Sequence, residues 1–321
     1  MRATKGACRE GKGTMRTALV WTVTAALLLS LGPGAAAQSS GLPDRVAVVE
    51  EIIFGRDQAG VLSLVERVVQ LEKELYGVEG SGPLLARVQK MHEELVAGGG
   101  GTSLLMRLNA IEWMLYQEVS PAQALGRRID QLEAQVIGER QTGPLRQRID
   151  RLMDLVWPGG QLNTELVEIP KETLVLIRLE ANVDSGQNRV GELIPFRVAE
   201  DVMVDDRLVI PAGTEGAARV TKVTSAGMMG RSGKVELDFG TLKTMDGTSV
   251  RLAVAERAAK ENTELAAAAS VGGLVLLGPI GLVGGVFVQG REHVIPAGTE
   301  LYVEVERPVK AAGLSLTPVG V

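Results

Sequence analysis

Histidine is scarce in this chain. His92 and His293 are the two present, and neither has a nucleophile placed near it in sequence. The single cysteine, Cys8, precedes an apolar run, so the remainder has no thiolate, disulfide or sulfur ligand to offer. Acid pairs occur at Glu200-Asp201 and Asp205-Asp206. The second lies in "VMVDDRLVI" between two apolar runs, where a solvated β-turn uses such residues and a metal site is the alternative. The stretch "GMMGRSGK", Gly227 to Lys234, ends in lysine but lacks phosphate-loop spacing, and there is no dinucleotide, HExxH or GxSxG pattern. These residues predict a chain that is not an enzyme, with no catalytic residue, cofactor or metal assigned. An envelope enzyme acting on carbohydrate or peptidoglycan would need paired carboxylates across a cleft, which the sequence does not display.

Two features repeat. The heptapeptide "VIPAGTE" stands at Val209 to Glu215 and again at Val294 to Glu300. Read locally, Pro211 presets the first central position of a turn and Gly213 takes a left-handed position. Pro296 and Gly298 repeat the arrangement, which predicts the same hairpin corner used twice. A blurred copy, "VEIPKET", keeps Pro170 but has Glu172 in place of glycine, and is read as leading into a strand.

The second repeat is marked by Arg45, Arg67, Arg87, Arg107, Arg128 and Arg148, spaced 20 to 22 residues apart. Leucine lies three residues before each, and apolar residues follow at one, four and eight. This spacing forms one stripe of a helix. Breakers such as Gly55, Gly77, Gly98, Gly138 and Pro158 separate the units. Six short amphipathic helices are expected, packed as an antiparallel bundle or small array, because helices that short are marginal alone. The arginines are either a row of anion contacts along an envelope polymer or partners of Glu50, Glu72, Glu112 and Glu133 on adjacent helices. His92 takes the acid's place in the third unit. The helical units resemble repeats of exported bacterial proteins, a likeness that names no activity.

Residues 1–37 have a basic segment, the apolar run "TALVWTVTAALLLSL" and "GPGAAAQ", the layout of a secretory signal peptide cleaved after Ala37. An uncleaved membrane anchor is the alternative. The presequence carries more base than acid, so the rest is more acidic than the whole chain's net charge of −5. That excludes nucleic acid as a partner.

After "WPGGQ" the hydrophobic period changes to alternation, as in "LVLIRLEA", "VELDF" and "ELYVEVE", with Glu304 and Glu306 on a wet face of the last. Asp246-Gly247 is a hairpin signal. A small barrel or sandwich is expected. Between the two heptapeptides, Leu265 to Gly290 is apolar and glycine-rich, broken by Gly278-Pro279. It reads as a helical hairpin contacting membrane or partner through Leu274, Leu276, Leu277, Ile280, Leu282, Val286 and Phe287. A buried cover or a spanning helix are the alternatives.

The succession "IPKETLVLIRLE", "GELIPFRVAEDVMVDDRLVIPAGTEGAARVT", "KVELDFGTLKTMDGTSVRL", an apolar excursion and "VIPAGTELYVEVE" resembles the TrbI-type β-barrel of conjugation and type IV secretion channels. The resemblance covers about residues 167–306. It implies a barrel from which an apolar helical pair rises to help line an outer-membrane pore. This chain differs in its cleavable-looking presequence and its shorter, glycine-richer apolar segment.

The fold class expected is therefore multidomain α and β: signal peptide 1–37, helical repeats 38–160, a β-barrel-like or antiparallel sandwich region 161–308 with the insertion 265–290, and a flexible tail 309–321. The function expected is that of an exported structural or assembly protein of the cell envelope, membrane-associated or extracellular. Its partners would be envelope proteins or itself as a homo-oligomer, with membrane contact through 265–288. A secretion- or conjugation-channel component is the alternative.

Overall fold

A computed structural model describes residues 41–56, 58, 60–97, 102–157, 159, 161–224, 234–268 and 294–316. Six α-helices come first: α1 (Leu42–Phe54), α2 (Leu64–Tyr76), α3 (Leu84–His92), α4 (Leu104–Tyr116), α5 (Leu125–Val136) and α6 (Leu145–Val156). Each starts on the leucine three residues before the repeat arginine. Local chemistry fixes several ends. The Ser63 hydroxyl accepts from the Glu66 N–H while Glu66 accepts from the Ser63 N–H, a capping box, and Ser103 caps α4. Gly55 and Gly77 close α1 and α2 in the left-handed conformation. The third unit departs from the others: after His92 the chain continues as one π-helical turn, Glu93–Ala97. The stripe residues Val46, Val49, Val68, Leu71, Val88, Met91, Ile111, Ile129 and Ile149 are all inaccessible to solvent. Leu115, which the repeat would also place inside, is 39% exposed.

The remaining elements are antiparallel strands with one further helix: β1 (Thr164–Ile169), β2 (Leu174–Leu179), β3 (Val183–Asp184), β4 (Leu193–Val198), β5 (Val202–Val204), β6 (Arg207–Ile210), β7 (Glu215–Thr224), β8 (Lys234–Asp238), β9 (Thr241–Lys243), β10 (Ser249–Ala253), α7 (Glu256–Ala268), β11 (Val294–Ile295), β12 (Glu300–Val305) and β13 (Val309–Ser315). They form a four-stranded sheet ordered β1-β13-β6-β5, a seven-stranded sheet ordered β8-β7-β4-β2-β12-β10-β9, and the pair β11-β3. The seven-stranded sheet curls into a half-barrel that brings β7 against β9. A core containing Val175, Ile177, Phe196, Val220, Val250 and Val303 fills it. The fold is thus mixed α and β with antiparallel sheets. Of the apolar insertion expected over 265–290, residues 265–268 end α7; the rest lies outside the described residues, and with it Leu274, Leu276, Leu277, Ile280, Leu282, Val286 and Phe287. No helix among the described residues is long and apolar enough to cross a membrane.

Four expectations are corrected. The region 309–321 does not begin as a tail, because Val309–Ser315 is β13, held between β1 and β6. Its small residues reflect crowding: a Cβ on Gly313 would come within 2.8 Å of the Arg207 Cβ. Glu304 does not face water. It is 2% exposed beneath α7, where it accepts from the Ala258 N–H at 2.9 Å.

The third and fourth corrections concern the heptapeptides. They do not close hairpins: the first carries β6 of the four-stranded sheet into β7 of the seven-stranded one, and the second carries β11 into β12. The Thr214 N–H donates to the Pro211 carbonyl and Gly213 has φ +77°, which makes proline the first residue of the turn and glycine the third, as in a type II turn. Thr299, Pro296 and Gly298 (φ +85°) repeat it. "IPKET" repeats it too. The Thr173 N–H donates to the Pro170 carbonyl, and Glu172 takes the left-handed position at φ +66° between β1 and β2. In all three the threonine hydroxyl also donates to the proline carbonyl, at 2.7 to 2.8 Å. The left-handed residue donates its N–H to a carbonyl of an adjoining strand: Gly213 to Val198, Gly298 to Leu179 and Glu172 to Val305.

Candidate functional site

The repeat arginines converge on buried acids. Five residues after the arginine in four of the units stands a glutamate: Glu50, Glu72, Glu112 and Glu133, none more than 4% exposed. Each accepts from the arginine of the following unit. Arg67 donates to Glu50 through Nε (2.8 Å) and Nη2 (2.5 Å), and Arg87 does the same to Glu72 at the same distances. Arg128 holds Glu112 at 2.8 and 2.7 Å, and Arg148 holds Glu133 at 2.9 and 2.5 Å. Each carboxylate also accepts a loop N–H eight residues on, from Gln58, Gly80, Ser120 and Gln141. A bidentate arginine and a backbone donor together tie helix, loop and next helix into one clamp. For Glu72 and Glu133 burial pushes the carboxyl pKa up. Hydrogen bonds from the arginine and the loop N–H outweigh it and leave both below the ordinary range.

The clamp is missing between the third and fourth units, where His92 stands in the acid's place. Arg107 turns instead to Asp150 of α6. Arg45 opens the series, with no unit before it.

That irregular junction meets the strands. The Asp246-Gly247 loop joins antiparallel β9 and β10 and sits against α4: the Asn109 Nδ2 donates to the Met245 carbonyl at 2.7 Å, and a Cβ on Gly247 would lie 3.2 Å from Leu105. Asp246 accepts from the Ala312 N–H of β13 at 2.7 Å. The first heptapeptide docks nearby. The Val119 N–H donates to the Ala212 carbonyl at 3.1 Å, and Asp201 bridges the Trp113 indole (2.9 Å) and the Ala212 N–H (2.7 Å). In the second heptapeptide the Ala297 N–H donates in the same way to the Asn182 Oδ1 at 2.8 Å, but among the described residues no helix packs against Gly298.

Between the helices and the β9–β10 hairpin lies a cavity of about 410 Å³. Val48, Ile52, Val96, Leu105 and Leu125 supply apolar wall; Arg128, Asn109, His92, Lys243 and Thr244 supply polar groups. Arg128 and Asn109 are 1% and 3% exposed and form its deep end. Lys243 stands exposed at the rim with its Nζ 2.8 Å from the Ser249 hydroxyl. Crowding by the surrounding protein lowers the lysine pKa, with Asp246 opposing.

The structure brings together Arg128 and the Asp246-Gly247 loop around this cavity, and places Pro211 and Gly213 against the helix end close by. Pro296, Gly298 and the other arginines lie apart from it. Sequence reasoning missed Asn109, Asp130 and Asn262. A signal existed for the first two, since polar residues stand two positions after the arginine only in Gln89, Asn109, Asp130 and Asp150. His293 and most of "GMMGRSGK" lie outside the described residues. Asp205 and Asp206 occupy a turn between β5 and β6 with both φ angles positive. No group of acids, histidines or cysteines that could hold a metal occurs among the described residues.

No protein-family model matches the sequence, and no curated protein matches it. Among solved structures, the chain is similar to ComB10 of the Com type IV secretion system of Helicobacter pylori, at 13% identity over 44% of this chain and 89% of that one. The TM-score is 0.26, so the likeness carries no argument about activity.

Proposed function

We propose that this chain is an exported, non-enzymatic protein of the cell envelope that works by assembly, with itself or with envelope proteins. The observation that carries the reading is the use the repeat makes of its charges. Arg67, Arg87, Arg128 and Arg148 are each bound to a buried glutamate, so the helical array is a rigid brace rather than a row of anion contacts. The presequence pattern supplies the address, and the 265–288 segment supplies contact with a membrane or partner.

A channel component is the second reading. The order of strand motifs favours it, together with the three corners that carry the chain into the half-barrel and α7, which leads from β10 toward the apolar segment. It requires a ring oligomer.

Carbonate extraction and the native mass of the full chain, compared with a variant lacking residues 265–288, test both readings. The intact chain is expected to sediment with membranes and to self-associate, and the deletion variant to do less of each. An intact chain that is wholly soluble and monomeric ends both readings. A defined ring selects the second.

A further inference from the structure

We propose that the cavity walled by α1, the third to fifth helical units and the β9–β10 hairpin binds a small monocarboxylate with an apolar body. The site stands independently of membrane contact. It occurs where the repeat breaks its own rule: His92 replaces the acid, a π-helical turn follows, and the clamp to Arg107 is lost. Departures from an otherwise consistent pattern, and π-turns in particular, concentrate at functional sites.

The repeat supplies an internal control for the charge. Arg148 has two carboxylates, since its Nη2 donates to Asp130 (2.7 Å) as well as to Glu133. At Arg128 the position equivalent to Asp130 is Asn109, a neutral amide whose oxygen accepts at 2.5 Å. The more deeply buried guanidinium therefore has one carboxylate fewer than Arg148, as Arg87 does too, and like both of them it meets no acceptor among the described residues at its Nη1; what sets Arg128 apart is that it lines the cavity. Glu112 already balances the Arg128 charge, so a ligand carboxylate at the deep end adds a charge-assisted hydrogen bond to the guanidinium, which would then hold two carboxylates as Arg148 does. The apolar walls and a volume of about 410 Å³ suit a short aliphatic or aromatic body. Glu51 lines the open side, which disfavours the opposite orientation.

The test is calorimetric titration of the purified full chain with octanoate, and with octanol as the uncharged match. Two variants spare the Arg128 clamp: His92→Glu restores the repeat's acid to the wall, and Ala122→Trp fills the cavity from an exposed loop. One octanoate site is expected, with affinity lower by about tenfold or more for octanol and for each variant, the scale of one charge-assisted hydrogen bond. Three results overturn the proposal: no octanoate binding, octanol binding as tightly as octanoate, or variants that melt as the wild type does yet bind octanoate equally well.

Discussion

Removing a carboxylate from water is unfavourable unless hydrogen bonds and opposite charge replace what water gave it. Glu72 and Glu133 meet that condition, and their lowered pKa values link it to stability. A carboxyl whose folded pKa lies below its unfolded value of 4.5 contributes stability that is complete above that value. The contribution is lost as pH falls through the folded pKa. Thermal melts should therefore be flat around neutrality and fall below about pH 4.5, and Glu72→Gln should reduce the slope of that fall. An unchanged slope contradicts the linkage. The glycines of the two heptapeptides give a second prediction at this scale. Gly298→Ala meets no atom within 4 Å and bears only the left-handed backbone penalty, about 1–2 kcal/mol. Gly213→Ala adds a Cβ 2.8 Å from that of Glu118 and 3.1 Å from the Val119 backbone, so it should cost about 1–3 kcal/mol more. Urea denaturation of the pair decides it, and equal losses would remove the docking of the first corner from the account.

At the scale of elements, the helices are joined by clamps, and a clamp can be taken apart. Glu72→Leu alone leaves Arg87 and the Gly80 N–H without their acceptor and should destabilise by about 3–5 kcal/mol. Adding Arg87→Met should recover most of that, though not the share belonging to the Gly80 N–H. Strictly additive losses in urea would show that the two residues do not act as a unit. The six repeat helices were legible because leucine, arginine and stripe recur in one frame, and each of α1 to α6 starts on its leucine. The four acids were legible as partners too, Glu50, Glu72, Glu112 and Glu133 on adjacent helices; that each takes the arginine of the following unit was not, since it depends on how successive units stack. The corners show the same limit: Pro211, Gly213 and Thr214 specify a local turn, but nothing local says that β6 and β7 join different sheets. Glu172 hid the third corner by occupying a position where glycine is usual. β13 was missed because Ala311, Ala312 and Gly313 are small for packing reasons that only the folded neighbours reveal. α7 was missed as well. Its anchor is tertiary: Asn262 exchanges hydrogen bonds with both backbone groups of Tyr302, at 2.8 and 2.5 Å, where β12 has no strand partner on that side.

Across the whole molecule, the helical and strand parts share buried surface. The described residues form one compact unit, and the helices' apolar cluster includes Leu208, Met245 and Leu314 from the strands. The backbone is joined as well, through Val119 to Ala212 and through Asn109 to Met245. A helical array built from short units would be marginal alone, and the four-stranded sheet needs a cover for the face carrying Leu208 and Leu314. Each part therefore completes the other, and unfolding should be a single transition. Tryptophan fluorescence, which reports Trp113 beside Asp201 together with Trp157 and Trp21, should coincide with far-ultraviolet circular dichroism, which reports the helices. Met245→Ala tests the coupling. Met245 is inaccessible, lies in a strand loop and packs among the helices, so truncation should cost about 2–5 kcal/mol. The loss should move both signals together. If the dichroic transition shifts while the rest of the melt stays in place, the two parts fold separately and the shared core is only a contact.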